Sequence, residues 1–195
     1  IDIDRFSLRA LSIILGGGMS SRLFREIREK RGLCYSIFSF TQMQSSSGVF
    51  GFYAGTSPND VDQLLEASLI EWKKIKKFIS SEELDRAKSQ MKSGFIMGQE
   101  SNSSRSEYFA KNMISFRKLI ETKEVIRSIE NISISSIYDL CEKLLNSAKP
   151  VLSVIGPNAN SLIIQKYKLI HGNVRRKNKN HKKKNKQLIY YQSHK

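Results

Sequence analysis

Histidine, cysteine and clustered carboxylates are the side chains that hold catalytic metals or serve as nucleophile and base. In this 195-residue chain they do not come together into a complete site. All three histidines, His171, His181 and His194, fall in the last 25 residues, a polar stretch in which they read as solvated side chains. Neither H-E-x-x-H nor H-x-x-E-H occurs, so no zinc-hydrolase centre can be assembled, and the expectation is no metal ligand set in this chain. Cys34 and Cys141 stand far apart, fit no C-x-x-C spacing and lack a structured histidine partner. They read as buried structural thiols in a reducing compartment, against a disulfide framework or a zinc ribbon. The run Gly16, Gly17, Gly18 lies ahead of a helix, where free N–H groups attract anions. It satisfies neither G-x-x-x-x-G-K-[ST] nor G-x-G-x-x-G and follows a helix, not a strand, so a tight helix-to-helix connection is the reading. A flexible loop touching an extended peptide is compatible with it.

The elements that must position any site come from composition and periodicity. With 39% hydrophobic and 26% charged residues, 22.3 kDa suits one domain and a tail. No apolar run reaches the about 18 residues that a membrane span requires. The net charge of +15 is unevenly placed. Nine of the 33 basic residues and no acid lie between His171 and Lys195, which leaves 24 bases against 18 acids, +6, for the rest. Residues 1–169 are therefore expected to fold, and residues 170–195 to form a basic disordered tail. The chain opens Ile1, Asp2, Ile3, Asp4, with neither a Met nor the pattern of a secretory signal, and reads as a fragment.

Apolar periodicity predicts a mostly buried helix over Arg5–Leu15, stopped by the glycines, and a second over Arg22–Arg31 capped by Ser20 or Ser21. In the second, Leu23, Phe24 and Ile27 form the apolar stripe and Gly32 ends it. Cys34–Phe40 and Gly48–Ala54 have the aromatic, alternating character of a long antiparallel hairpin. Helices are predicted over Val61–Phe78, from a Ser80/Glu83 capping box through Met91, and over Ser103–Ile120, Lys123–Glu130, Ser135–Asn146 and Asn158–Ile170. VLSVIG after Pro150 predicts a buried strand. Helices and a few antiparallel strands in blocks define an α+β class, an antiparallel sheet packed by helices.

One stretch goes further. Leu15–Phe40, LGGGMSSRLFREIREKRGLCYSIFSF, closely resembles the C-terminal half of the pitrilysin and mitochondrial processing peptidase family, zinc peptidases with an inverted H-x-x-E-H motif. The resemblance rests on the Gly-rich loop, Ser-Ser-Arg-Leu-Phe, the ending Arg-Glu-Lys-Arg-Gly-Leu and the Tyr-Ser that starts a strand. GFYAGTSP, SSEELDRAKSQMK, the Glu100, Ser101 and Arg105 cluster and VLSVIGP agree with it, over about Arg5–Asn158. It fits the short-loop, prokaryotic type.

The resemblance implies one α+β lobe of a processing-peptidase-like metallohydrolase fold, in which two lobes enclose a chamber and zinc sits in the N-terminal one. The C-terminal lobe contributes an Arg and a Tyr, seven positions apart, that reach toward the peptide and its carbonyl on the zinc. Arg28 and Tyr35 have that spacing. Gly32 turns the chain between them, so both tips can emerge at one rim, where a guanidinium donates to peptide carbonyls and a phenol stabilises a developing oxyanion. Spacing alone favours a solvated helix charge and a half-buried strand aromatic; the resemblance reverses that. Tyr35 is thus the candidate catalytic residue, and Arg28, Gly16, Gly17 and Gly18 are the candidate substrate contacts. Glu100 and Arg105 read as an ion pair at a helix junction, and Phe50, Phe52 and Tyr53 as lobe core and chamber wall.

The implied function is the substrate-binding lobe of a zinc metalloendopeptidase acting on peptides or targeting segments, inactive without the zinc lobe. The alternative is a non-catalytic structural subunit of the same fold. Implied partners are an N-terminal zinc lobe in the same full-length chain, a peptide substrate and a homo- or hetero-dimer mate. No membrane is implied, and no nucleic acid beyond non-specific attraction by the tail. The implied location is bacterial cytoplasm or an organellar matrix.

Overall fold

A computed structural model describes residues 3–43, 48–147 and 151–156. Among these residues six α-helices, one π-helical turn and two strands follow in order: α1 (Ile3–Gly16), the π turn (Phe24–Glu29), β1 (Ser36–Met43), β2 (Gly48–Gly55), α2 (Val61–Lys77), α3 (Ser81–Glu100), α4 (Asn102–Phe116), α5 (Thr122–Glu130) and α6 (Ile134–Ser147). The class is α+β, as the blocked order of helices and strands predicts. The chain divides into two compact units, residues 1–11 with 79–140 and residues 12–78 with 141–195, the divisions falling within α1 and α6.

The unit of residues 12–78 and 141–195 contains the hairpin. β1 and β2 pair antiparallel from Ser36 opposite Gly55 to Met43 opposite Gly48. Alternation then gives the two faces different partners. On one face Ile37, Phe50 and Ala54 are buried, and the Phe50 ring lies 5.2 Å from that of Trp72 on α2. On the other, Phe38 and Tyr53 stack across the strands at 5.0 Å. The Ser12 hydroxyl meets that of Ser39 at 2.9 Å, tying the end of α1 to β1. Leu15, Leu23, Ile27, Leu64, Leu65 and Ile75 complete this core.

The unit of residues 1–11 and 79–140 is helical. Its core is built by Leu84, Ala87 and Met91 of α3 with Val125, Ile129 and Ile137 of α5 and α6, and the helical spacing of the α3 residues is what buries them together. α3 starts at the predicted capping box: Glu83 N–H donates to Ser80 Oγ at 3.2 Å, and Ser80 N–H donates to the Glu83 carboxylate at 3.0 Å. α3 and α4 meet at Ser101, whose side chain accepts from Ser104 N–H. Phe95 and Tyr108 pack edge to face at 5.4 Å, and the Tyr108 hydroxyl donates to Ile120 O at 3.1 Å.

Three expectations need correction. Val151–Gly156 forms no strand: Leu152 is buried, but the only strands among the described residues are β1 and β2. The apolar run marks burial, which needs no ladder partner. Second, the segment after Arg22 is not a plain α-helix but widens into the π turn. No side chain caps that turn; Ser21 turns back instead, donating its hydroxyl to Gly18 O at 2.5 Å. Third, Glu100 and Arg105 are both exposed and form no ion pair with each other; at the junction the Ser101 side chain caps α4 instead. The predicted helix over Asn158–Ile170 and the tail lie outside the described residues.

Candidate functional site

The π turn sets the geometry of the candidate site. Its widened bond runs from Lys30 N–H to Arg25 O at 3.0 Å, five residues back, where an α-helix reaches four. The chain then reverses at Gly32, whose φ of +62° is a left-handed conformation costly for any residue with a Cβ. Leu33 N–H closes the reversal on Ile27 O at 3.0 Å. This bond brings the end of the π turn beside residues 33–35.

Tyr35 is presented by a pinned backbone. Thr56 Oγ1 donates to Leu33 O at 2.5 Å, and Tyr35 N–H, just ahead of β1, donates to Gly55 O at the end of β2 at 2.8 Å. The side chain itself is 77% exposed, and its hydroxyl has no hydrogen-bond partner among the described residues. A fixed backbone with a free phenol is the arrangement expected of a donor waiting for an acceptor.

Arg28 is exposed on the π turn, and its guanidinium carbon lies 4.8 Å from the centroid of the Phe24 ring. Among the described residues it makes no ion pair. Glu26 pairs with Lys30, whose hydrogen bond holds the Glu26 carboxyl below the usual carboxylate range against the opposing effect of burial, with help from the charges of Lys74 and Arg31. Lys74 in turn pairs with the buried Glu71 at 2.6 Å. Cys34, next to Tyr35, is buried; desolvation pushes its thiol up, and the positive charge of Arg28 opposes that shift. The field of Arg28 therefore reaches the residue adjoining Tyr35.

The three glycines do different things. Gly16 is buried at the end of α1, where a Cβ would lie 2.5 Å from Ser39 N. A Cβ on Gly17 would lie 2.5 Å from Ile13 Cα. Both are small because neighbouring backbone occupies the space. Gly18 alone is exposed, with nothing within 4 Å of a Cβ position, and so is the one of the three open to a ligand. Sequence reasoning missed Phe24 as the platform under Arg28; its signal was an aromatic four residues before the arginine. Among the described residues no group of three or more His, Cys, Asp or Glu side chains could hold a metal ion, so they do not fit a zinc site.

Among the described residues the fold leaves Arg28 and Tyr35 exposed beside one turn and assembles no metal-ligand cluster. Residues 2–91, which include Arg28 and Tyr35, match the family described as Peptidase M16 inactive domain. A Rickettsia felis protein named an uncharacterized zinc protease is 38% identical over 159 residues, 81% of this chain and 38% of that protein. The crystal structure of a protease from Helicobacter pylori is 30% identical with a TM-score of 0.65, covering 72% of this chain and 34% of that one. The peptidase M16 inactive domain from Pseudomonas fluorescens shares the fold, with a TM-score of 0.65 at 24% identity over 73% of this chain and 34% of that one. The chain belongs to the M16 peptidase family, and its residues 2–91 are of the inactive-domain type. It spans less than two-fifths of the length of the curated relatives it matches.

Proposed function

We propose that this chain is the substrate-binding half of a zinc metalloendopeptidase that cleaves extended peptides, and that it is inactive by itself. The observation that carries the reading is the placement, on the two arms of one turn around Gly32, of an exposed Arg28 and an exposed Tyr35 that find no acidic partner and no hydroxyl hydrogen bond among the described residues. Arg28 would donate to backbone carbonyls of the peptide and hold it in register. Tyr35 would donate its phenolic hydrogen to the oxygen on which negative charge develops as the scissile carbonyl is attacked. The exposed Gly18 would let peptide backbone approach closely. Zinc, when bound by the other half, supplies Lewis-acid chemistry and an activated water.

The test compares the full-length protein with the 195-residue chain in cleavage of a quenched fluorescent peptide. The reading expects turnover by the first and none by the second, and no stoichiometric zinc in the chain after residues 170–195 are removed. Peptide cleavage, or one tightly held zinc, in that shortened chain would overturn it.

A further inference from the structure

We propose that Phe24 is a positioning residue: its ring face is the platform that holds the Arg28 guanidinium in the orientation used to grip a peptide. The proposal rests on the substrate-binding reading above and adds a residue to it.

An exposed arginine spreads over many rotamers, and ordering it on binding costs free energy. Among the described residues Arg28 lacks the usual remedy, a carboxylate partner. What lies beneath it is the Phe24 ring, 4.8 Å from the guanidinium carbon, inside the about 6 Å over which a ring quadrupole attracts a cation. Contact with a ring face takes up none of the guanidinium N–H groups, and those are the groups that donate to a carbonyl. A carboxylate would have consumed them. The two residues stand four apart in the π turn, so the widened winding sets how they overlap. Phe24 is only half-buried, whereas Leu23 and Ile27 beside it are fully buried. Its ring is therefore divided between the core and the arginine, and the core alone does not account for it.

The experiment is steady-state peptide cleavage by the full-length protein carrying Phe24→Leu, Phe24→Tyr, Arg28→Ala and the double change Phe24→Leu with Arg28→Ala, with thermal unfolding measured for each. Phe24→Leu keeps an apolar side chain of similar reach and removes the ring face. The expected loss is on the order of two- to fivefold in kcat/KM, carried mainly by KM, as an exposed cation–π contact implies. Phe24→Tyr should restore it, and Phe24→Leu should add no further loss once Arg28 is Ala. NMR of the Arg28 side chain supplies a readout independent of activity: its ring-current shift should vanish in Phe24→Leu and persist in Phe24→Tyr. Full activity of Phe24→Leu beside an impaired Arg28→Ala overturns the positioning role and leaves the substrate-binding reading intact. So does a Phe24→Leu loss that still adds to that of Arg28→Ala in the double change, or one that follows a drop in melting temperature. An Arg28→Ala protein of wild-type kcat/KM strikes down the substrate-binding reading first, and the positioning role with it.

Discussion

Gly16 and Ser39 approach so closely that a Cβ on the glycine would sit 2.5 Å from the Ser39 backbone nitrogen. The contact brings the C-terminal end of α1 against β1, next to the Ser12–Ser39 hydroxyl pair. Gly16→Ala forces one of the two backbones to move. It is expected to destabilise the chain by about 1–3 kcal/mol, the usual range for overpacking a tight contact. Equilibrium urea unfolding of the variant measures this. The glycines of α3 should respond in the opposite direction: at Gly94 and Gly98 nothing lies within 4 Å of a Cβ position. Gly94→Ala should stabilise by about 0.5–1 kcal/mol through helix propensity alone.

Cys141 gives a pH-dependent prediction. Burial pushes its thiol from 9.0 up to about 12, against a smaller downward effect of the charge of Lys76. The folded state thus favours the neutral thiol. The contribution is fully present below about pH 9, where the unfolded thiol is also neutral, and is lost as pH rises from there toward about 12. Unfolding free energy measured from pH 8 upward should fall more steeply in the wild type than in Cys141→Ala. Parallel slopes would contradict the assignment. The native thiol should also react slowly with an aromatic disulfide reagent, since the thiolate is the reactive form.

The capping box at α3 is a third test. Ser80→Ala removes the acceptor for Glu83 N–H and leaves Glu83 to cap alone, so a loss of about 1 kcal/mol is expected. Chemical denaturation of Ser80→Ala and Glu83→Ala, singly and together, should show coupling between them.

Much of this was legible in the sequence, and what was not has physical reasons. The hairpin was readable because aromatic and β-branched residues alternate over Cys34–Phe40 and Gly48–Ala54; the observed β1 is shifted to Ser36–Met43, leaving Cys34 and Tyr35 ahead of it, and β2 runs one residue further, to Gly55. α3 was readable because Ser80 and Glu83 stand at cap spacing. The π turn was not: Leu23 and Ile27 are buried as an α-helical stripe would bury them, and the extra width lies in the bond from Lys30 to Arg25, which polarity does not record. Val151–Ile155 looked like a strand because apolarity signals burial whether or not a ladder partner stands beside it. Gly16 looked like part of an open loop because composition cannot tell a glycine that frees the chain from one that admits a neighbour. At the site, Arg28 and Tyr35 were found through the resemblance, and both are exposed on arms of one turn. The Phe24 platform follows only from coordinates.

The central claim is that Tyr35 acts on the reacting carbonyl and not on the fold. The most direct measurement is kcat for peptide cleavage by full-length Tyr35→Phe, with melting temperature and zinc content measured on the same sample. The account predicts a fall in kcat on the order of 10²-fold, about 3 kcal/mol, with folding and zinc unchanged, because the hydroxyl is exposed and bonds to no described residue. A Tyr35→Phe protein with wild-type kcat, or one that loses activity only as it unfolds, would contradict it and return Tyr35 to an ordinary surface aromatic.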